Sequence, residues 1–211
     1  GDLDLRYVCR VAEEIGSALA NKKEHHTVVL RSTVLPGTTW GVVKPILEAH
    51  SSKCVGQDFD LCFNPEFLRE GSAIKDYYSP SYIVIGELDE PSGDVVQQLY
   101  SSIESTVIRT DLNSAEMVKY VSNVFHALKI SFANEIGNIC KAHQIDGQKI
   151  MDIFCIDRQL NISTAYLKPG FAFGGSCLPK DVRAMVYRAK ERDIEIPMLS
   201  SILPSNKHQI E

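Results

Sequence analysis

The stretch Thr27-Val28-Val29-Leu30-Arg31-Ser32 is a short run rich in β-branched residues, and it predicts a β-strand. A helix is expected on each side of it. Upstream, apolar residues recur at helical spacing and predict an amphipathic helix near residues 4–22. Downstream, a turn at 33–39 leads into a second helix that runs to Ala49 and that Pro45 is expected to strain. A strand between two helices is the repeating unit of α/β folds.

The same alternation continues along the chain to residue 110. We predict strands at 58–63, 81–86 and 105–110, and a helix at 92–104. Strands that alternate with helices indicate a parallel α/β sheet. A dinucleotide-binding unit normally opens with a strand, a glycine-rich turn and a helix, but no Gly-x-Gly-x-x-Gly occurs in this sequence. The pattern is that of a chain that enters an α/β domain halfway.

The second half of the chain has a different character. A helical pattern without proline runs from Asn113 to about His143. At about 1.5 Å per residue, some 30 residues span roughly 45 Å, which is longer than one small domain needs. We therefore predict a helix that connects two lobes and forms the interface of a homodimer or a higher oligomer. Helices are expected beyond it at 147–156 and 179–192, with a terminal segment from Pro197.

The composition is that of an ordinary globular protein, with 44% hydrophobic and 23% charged residues. A net charge of −5 without a basic run argues against nucleic acid as a partner. No apolar stretch is long enough to cross a membrane and no signal peptide is visible. The six cysteines are scattered without a Cys-x-x-Cys pair. We therefore predict a reducing, cytoplasmic location, with no disulfide framework, no membrane partner and no metal site.

The segment Phe171–Asp181, which reads FAFGGSCLPKD, predicts a reactive thiol. Proline is favoured in the first turn of a helix, so a helix should begin near Leu178 or Pro179 and place Cys177 at its N-terminus. There the free N–H groups and the helix dipole favour a thiolate, and Asp181 follows about one turn later. The alternative is a buried structural cysteine beside a helix start. The surrounding residues favour a nucleophile for covalent catalysis on a carbonyl.

Two other polar patterns stand out, although each alone is more often surface charge. Lys119 and Asn123 are four residues apart on the long helix and share one face. Glu66 and Glu70 are also four apart and follow the end of a predicted strand. Site residues of α/β sheets usually lie at that edge.

Taken together, these segments resemble the nucleotide-sugar dehydrogenases that oxidise a sugar C6 alcohol to a carboxylate, which form the UDP-glucose and GDP-mannose 6-dehydrogenase family. The matching stretches occur in the family's order and cover almost the whole chain: 31–38, 64–70, 116–123, 132–135 and 171–181. The likeness is closest to the GDP-mannose branch, which serves alginate synthesis. The details that support this branch are 35–37, 70–77, His126, 160–161 and 168–173.

The resemblance implies NAD as the cofactor and a covalent mechanism. Cys177 would capture the aldehyde as a thiohemiacetal, a second hydride loss would give a thioester, and water would open it. Lys119 and Asn123 would stabilise the oxyanion. Asp181, together with Lys119, would position or deprotonate water. Glu66 resembles the carboxylate that does acid–base work in thioester hydrolysis.

The remaining roles implied by the resemblance concern binding. Thr33 would bind water or the nicotinamide side of the site, with a part in catalysis. Glu70 and Lys180 would contact the cofactor. Contacts to the sugar nucleotide, some donated across a dimer, would come from Glu66, Lys119, Asn123, His126, Asn134, Asn161, Tyr166 and Lys168.

The implied fold class is α/β, in three parts. These are the latter part of a Rossmann-like NAD-binding domain at 1–112, a long connecting and dimerisation helix at 113–143, and a mainly α-helical central domain with the catalytic cysteine at 144–211. Family members also carry a glycine-rich N-terminal unit and a C-terminal lobe. We therefore expect a fragment that binds NAD weakly and does not turn over by itself.

Three alternatives remain open at this point. In the first alternative the reaction is the same, but the substrate is UDP-glucose or a UDP-N-acetylhexosamine in place of GDP-mannose. A non-catalytic dimerisation module built on the long helix would not need the Gly-Gly-Ser-Cys turn. A two-electron β-hydroxyacid dehydrogenase also has a long helix with a Lys and Asn pair, but it needs no cysteine.

Overall fold

The computed structural model describes residues 3–142, 144–158, 170–191, 193 and 197–211. These residues belong to two compact units, Leu3–Lys119 and Tyr120–Glu211. The first unit is α/β and the second is helical, which confirms the predicted fold class. The three predicted domain ranges stay a prediction.

The elements of the first unit follow the predicted alternation of helices and strands. In chain order they are α1 (Arg6–Ala20), β1 (Thr27–Leu30), a π-helical turn (Thr39–Val43), α2 (Lys44–Ser51), β2 (Asp60–Phe63), α3 (Ala73–Tyr78), β3 (Ile83–Glu87), α4 (Glu90–Gln98) and β4 (Val107–Asp111). Pro45 lies in the first turn of α2, where its missing N–H is not needed. The expected strain is thus avoided, because the helix restarts at the proline. The short helix α3 was not predicted.

The sheet is mixed rather than purely parallel. Its strand order is β1-β2-β3-β4, with β1 parallel to β2 and β3 parallel to β4. The middle pair is antiparallel and joins Phe63 to Gly86. The prediction of a parallel sheet is therefore right for two pairings and wrong for the third. The connection between β2 and β3, which carries α3, brings the chain back to the same end of the sheet, as an antiparallel neighbour requires.

The two middle strands of the sheet are buried on both faces. Every residue of β2 is buried, as a strand covered on two sides requires. On one side Leu61 joins a cluster with Leu47 of α2 and Leu19 of α1. Cys62 joins a second cluster that includes Val96 of α4.

The third cluster of this unit lies where the long helix α5 (Leu112–Ala142) begins. It contains Val34, Phe63, Val84, Leu112 and Ala115. Gly86 of β3 allows this packing, because a Cβ there would lie 2.7 Å from the Cβ of Ala115. The first turns of α5 are thereby held against the sheet.

The second unit consists of helices. After most of α5 come α6 (Gly147–Phe154), α7 (Cys177–Lys190) and α8 (Pro197–His208), close to the predicted positions. Its main cluster contains Val124, Ala127, Phe173, Val182 and Ile202. Within the ranges that the structure describes, no helix is long and apolar enough to cross a bilayer.

Candidate active site

In the first unit, two loops leave the carboxyl ends of the parallel strands β1 and β2. Asn64, directly after β2, fixes the second loop: its N–H donates to Leu30 O at 2.9 Å and its Nδ2 donates to Val84 O at 2.8 Å. The Tyr100 hydroxyl donates to Asn64 Oδ1 and accepts from Arg31 Nη1 at 3.0 Å. The loop that carries Glu66 therefore starts from a buried and satisfied anchor.

The structure brings Lys119 and Glu66 together, although they are 53 residues apart. Lys119 Nζ lies 3.2 Å from Glu66 Oε1 and also donates to the Glu66 carbonyl oxygen. The ammonium lies 5.4 Å from the ring centroid of Phe67. Lys119 is buried, whereas the Glu66 side chain is about one-third exposed. A buried cation with these partners can stabilise negative charge that develops beside it.

Glu116 was not among the predicted site residues, yet it is fully buried one turn before Lys119 on α5. Its Oε2 accepts from the Gly37 N–H at 2.6 Å. Its Oε1 accepts from the Thr39 N–H at 2.8 Å and from the Thr39 hydroxyl at 2.5 Å. Burial raises the pKa of Glu116, and the hydrogen bonds from the turn oppose that shift. Its sequence position offered only a weak signal, namely a carboxylate three residues before Lys119.

The other two predicted residues of this unit are placed differently. Thr33 is half-buried at the start of the loop after β1, and within the described part of the chain no hydrogen bond joins it to Lys119 or Glu66. Glu70 is exposed beside Gly71, whose φ of 83° suits glycine. Asp76 closes the same loop, since it accepts from Arg69 and Ser72. The Arg69 guanidinium holds the pKa of Asp76 well below its usual range.

In the second unit, α7 begins at Cys177 itself, one or two residues earlier than predicted. The thiol is exposed, so the alternative of a buried structural cysteine is wrong. Gly175 has a φ of 76°, which only glycine adopts easily, and it turns the chain into the helix. The thiol therefore stands at a helix N-terminus and is open to reaction.

Asp181 lies one turn further along α7 and is completely buried. Asn123 Nδ2 donates to Asp181 Oδ2, which brings together two predicted catalytic residues 58 positions apart. Asp181 Oδ1 has no hydrogen-bond partner among the described residues. Lys180 Nζ lies 3.4 Å from that oxygen, at ion-pair distance but without hydrogen-bond geometry. A buried carboxylate with one open lone pair can accept a proton from a water molecule or hydroxyl that reaches it.

The predicted sugar-nucleotide contacts are less well defined. Asn134 is buried, and its Oδ1 accepts from the Gly170 N–H at 2.7 Å, so this amide holds the chain ahead of Phe171. His126 is half-buried on α5. The other three, Asn161, Tyr166 and Lys168, lie outside the described residues.

Two family models match this chain, and both belong to one family. Residues 1–104 match the NAD binding domain of the UDP-glucose/GDP-mannose dehydrogenase family, and residues 113–208 match its central domain. The chain belongs to the UDP-glucose/GDP-mannose dehydrogenase family.

Known relatives agree with this assignment. GDP-mannose 6-dehydrogenase from Pseudomonas savastanoi pv. phaseolicola is 56% identical over all 211 residues, which cover 48% of that protein. The ternary complex of GDP-mannose dehydrogenase from Pseudomonas aeruginosa is 56% identical, with a TM-score of 0.76 over 99% of this chain and 48% of that one. UDP-glucose dehydrogenase from Pyrobaculum islandicum is 37% identical, with a TM-score of 0.92 over 98% of this chain and 47% of that one. The chain thus spans about half the length of the relatives it matches.

Proposed function

We propose that these residues belong to an NAD-dependent nucleotide-sugar 6-dehydrogenase that oxidises GDP-mannose to GDP-mannuronate through a covalent intermediate on Cys177. One observation carries the proposal: the exposed Cys177 thiol starts α7 and the buried Asp181 follows one turn later. A thiol that is both accessible and at a helix N-terminus suits attack on an aldehyde.

The first unit has groups that fit NAD. Dinucleotides bind at the carboxyl ends of parallel strands, and here the loops after β1 and β2 carry a hydroxyl on Thr33 and an exposed carboxylate on Glu70. Hydroxyl and carboxylate groups suit the ribose hydroxyls and the carboxamide of the cofactor. In the second unit, Lys180 is the cation assigned to the cofactor. NAD, when bound, supplies the hydride acceptor for both oxidations.

The chain's own residues account for the other steps. The Cys177 thiolate forms a C–S bond to C6 of the aldehyde, and the carbonyl oxygen takes up negative charge. Lys119 and Asn123 stabilise that oxyanion, Lys119 by charge and Asn123 by an N–H. After hydride loss leaves a thioester, water adds to C6 with Asp181 or Glu66 accepting its proton, and the C–S bond breaks to return the thiol. From the alcohol to the carboxylate, two hydrides and three protons leave and one water is consumed.

The comparisons support GDP-mannose over UDP-glucose as the substrate. Identity is 56% to the GDP-mannose enzyme and 37% to a UDP-glucose enzyme. The TM-scores rank these two the other way, but they compare backbones only. Specificity depends on side chains, so the identity is the better guide.

The test counts NADH formed per sugar consumed by the complete protein that contains this chain. GDP-mannose, UDP-glucose and UDP-N-acetyl sugars are offered in turn, with Cys177→Ser and the exposed Cys54→Ser as matched variants. We expect two NADH from GDP-mannose, lost in Cys177→Ser and kept in Cys54→Ser. Two NADH from a UDP sugar alone would keep the mechanism and change the substrate. One NADH, or full activity in Cys177→Ser, would favour the β-hydroxyacid dehydrogenase reading.

We also propose that the protein forms a homodimer through α5. Val121, Phe125 and Phe132 are exposed and, at spacings of four and seven residues, form one stripe along this helix. Exposed apolar stripes of this kind mark protein interfaces. Sedimentation equilibrium of wild type and Phe125→Asp tests the proposal. We expect a dimer for wild type and a monomer for the variant, and a wild-type monomer at micromolar concentration would contradict it.

A further inference from the structure

Among the described residues, one side chain makes the polar attachment of the turn after β1 to α5, beside the apolar packing of Val34 against Leu112 and Ala115. Glu116 has no solvent exposure, and the three hydrogen bonds that its carboxylate accepts from the described residues come from Gly37 and Thr39. The partners are 77 and 79 residues away along the chain. Inside the turn itself, the Thr38 hydroxyl donates to Leu35 O at 2.6 Å. The turn is thus closed within itself by Thr38 and attached to the helix by Glu116.

The same helix turn also reaches the loop after β2. Lys119, one turn beyond Glu116, donates to the Glu66 carbonyl and pairs with its carboxylate. Residues 116 and 119 therefore attach both loops of the candidate NAD-binding edge to one rigid element. The loop after β1 begins at Thr33, so its attachment at Gly37 and Thr39 bears on where Thr33 lies relative to Lys119.

We propose that Glu116 is a positioning residue, which holds the 33–39 turn in register with Lys119 so that Thr33 meets the cofactor correctly. The inference deepens the proposed function and rests on it for its kinetic readout. Glu116 itself contacts neither substrate nor cofactor in this proposal.

The attachment of the turn to α5 through Glu116 requires a carboxylate. An ionised carboxylate only accepts hydrogen bonds, and here it faces three donors. A glutamine in its place keeps an oxygen for the Thr39 side but turns an NH₂ group toward the Gly37 N–H. Two donors would then face each other in a buried place, where an unsatisfied polar group is costly. Gly37 has a φ of 92°, a backbone conformation that residues other than glycine adopt only with strain. A substitution at position 37 therefore cannot easily restore the attachment that Glu116→Gln removes.

The experiment compares Glu116→Gln with Glu116→Asp and with Glu104→Gln, which removes an exposed carboxylate of the same unit. Amide hydrogen exchange is followed across the 33–43 segment in the complete protein. NAD KM and kcat are measured with GDP-mannose, after the folded fraction of each variant is measured by circular dichroism. If Glu116→Gln does not fold, Thr39→Val replaces it, with Thr39→Ser, which keeps the hydroxyl, as its control.

We expect Glu116→Gln to speed amide exchange at Gly37 and Thr39 by about tenfold or more, because their N–H groups lose their hydrogen-bond acceptor. We also expect the NAD KM to rise about tenfold, because misplaced contacts weaken cofactor binding. Glu116→Asp should lie between, and Glu104→Gln should match wild type. A merely structural role would lower the folded fraction and leave the NAD KM unchanged, and that result would overturn the inference. Wild-type exchange in Glu116→Gln would overturn it too. Absence of NADH formation by wild type would instead count against the proposed function. The exchange data would still test whether Glu116 holds the 33–39 turn.

Discussion

The two units use their buried polar groups in different ways. In residues 3–119, the side chains of Glu116, Lys119 and Asn64 form hydrogen bonds that fix the loops at the ends of β1 and β2. In residues 120–211, the groups at the start of α7 are left partly open. There the Cys177 thiol is exposed, and one oxygen of the buried Asp181 has no hydrogen-bond partner among the described residues.

This difference distinguishes polar groups that hold the fold from groups that are open to react. A buried polar network whose members are all satisfied fixes a shape, because every departure breaks several hydrogen bonds at once. A thiol or carboxylate must keep an open position if it is to meet a substrate or a proton. In the first unit these hydrogen bonds hold the loops, whereas in the second unit Cys177 and Asp181 keep open positions at which chemistry can take place.

The largest effect is expected from Lys119→Met, which removes a buried cation that anchors the Glu66 loop and that the proposed function uses to stabilise the oxyanion. We expect kcat for NADH formation to fall by roughly 10²- to 10³-fold, as for loss of an oxyanion-stabilising donor. Lys44→Met is the matched control, since Lys44 also pairs with a glutamate, at 2.8 Å, on α2. Steady-state kinetics measure both. Equal losses in the two variants would show that Lys119 matters for folding alone.

The attachment of α5 to the sheet can be broken at Gly86. A Cβ there would lie 2.7 Å from Ala115 Cβ and 3.1 Å from Leu112 Cα, so Gly86→Ala must push the helix away. We expect a loss of up to about 3 kcal/mol in the free energy of unfolding, typical of overpacking. Gly41→Ala is the control, because nothing lies within 4 Å of its Cβ position. Urea denaturation of both variants makes the comparison, and similar midpoints would contradict it.

Within the second unit, Asn123→Ala removes the hydrogen-bond donor to Asp181 Oδ2. We expect a cost of about 2 kcal/mol, because the carboxylate stays buried with less satisfaction than before. Asn113→Ala, at an exposed position of the same helix, should change stability by less than about 0.5 kcal/mol. Thermal unfolding followed by circular dichroism distinguishes the two. A variant at 123 as stable as the variant at 113 would mean that Asp181 does not depend on Asn123.

The smallest effect concerns pH and the buried thiol of β2. Burial raises the pKa of Cys62 from 9.0 to about 11. The folded state then keeps a proton that the unfolded state loses above about pH 9. The stabilisation is complete below that pH and is lost as the pH rises to about 11. We expect wild type to lose roughly 2 kcal/mol more than Cys62→Val over this range, since each unit of pKa difference corresponds to about 1.4 kcal/mol. Parallel curves of unfolding free energy against pH for the two proteins would contradict this.

Local elements were largely predictable from the sequence, and pairings were not. The long helix was predicted to start at Asn113 and begins at Leu112, because its apolar pattern is strong and uninterrupted. The antiparallel pairing of Phe63 with Gly86 was missed, since alternation along the chain does not state the direction of each neighbour. Glu116 was missed as a positioning residue for a similar reason. A glutamate near a helix start is usually solvated, and only the folded chain buries this one.

The sequence by itself determined the order of helices and strands and the place of Cys177 at a helix start. Those features depend on residues within one or two turns, such as the glycines before Cys177 and the proline after it. Only the tertiary structure decided that Lys119 meets Glu66, that Glu116 meets Thr39 and that Asn123 meets Asp181. Each of these pairs joins residues more than 50 positions apart, and such contacts form only when packing of the apolar core brings distant segments together.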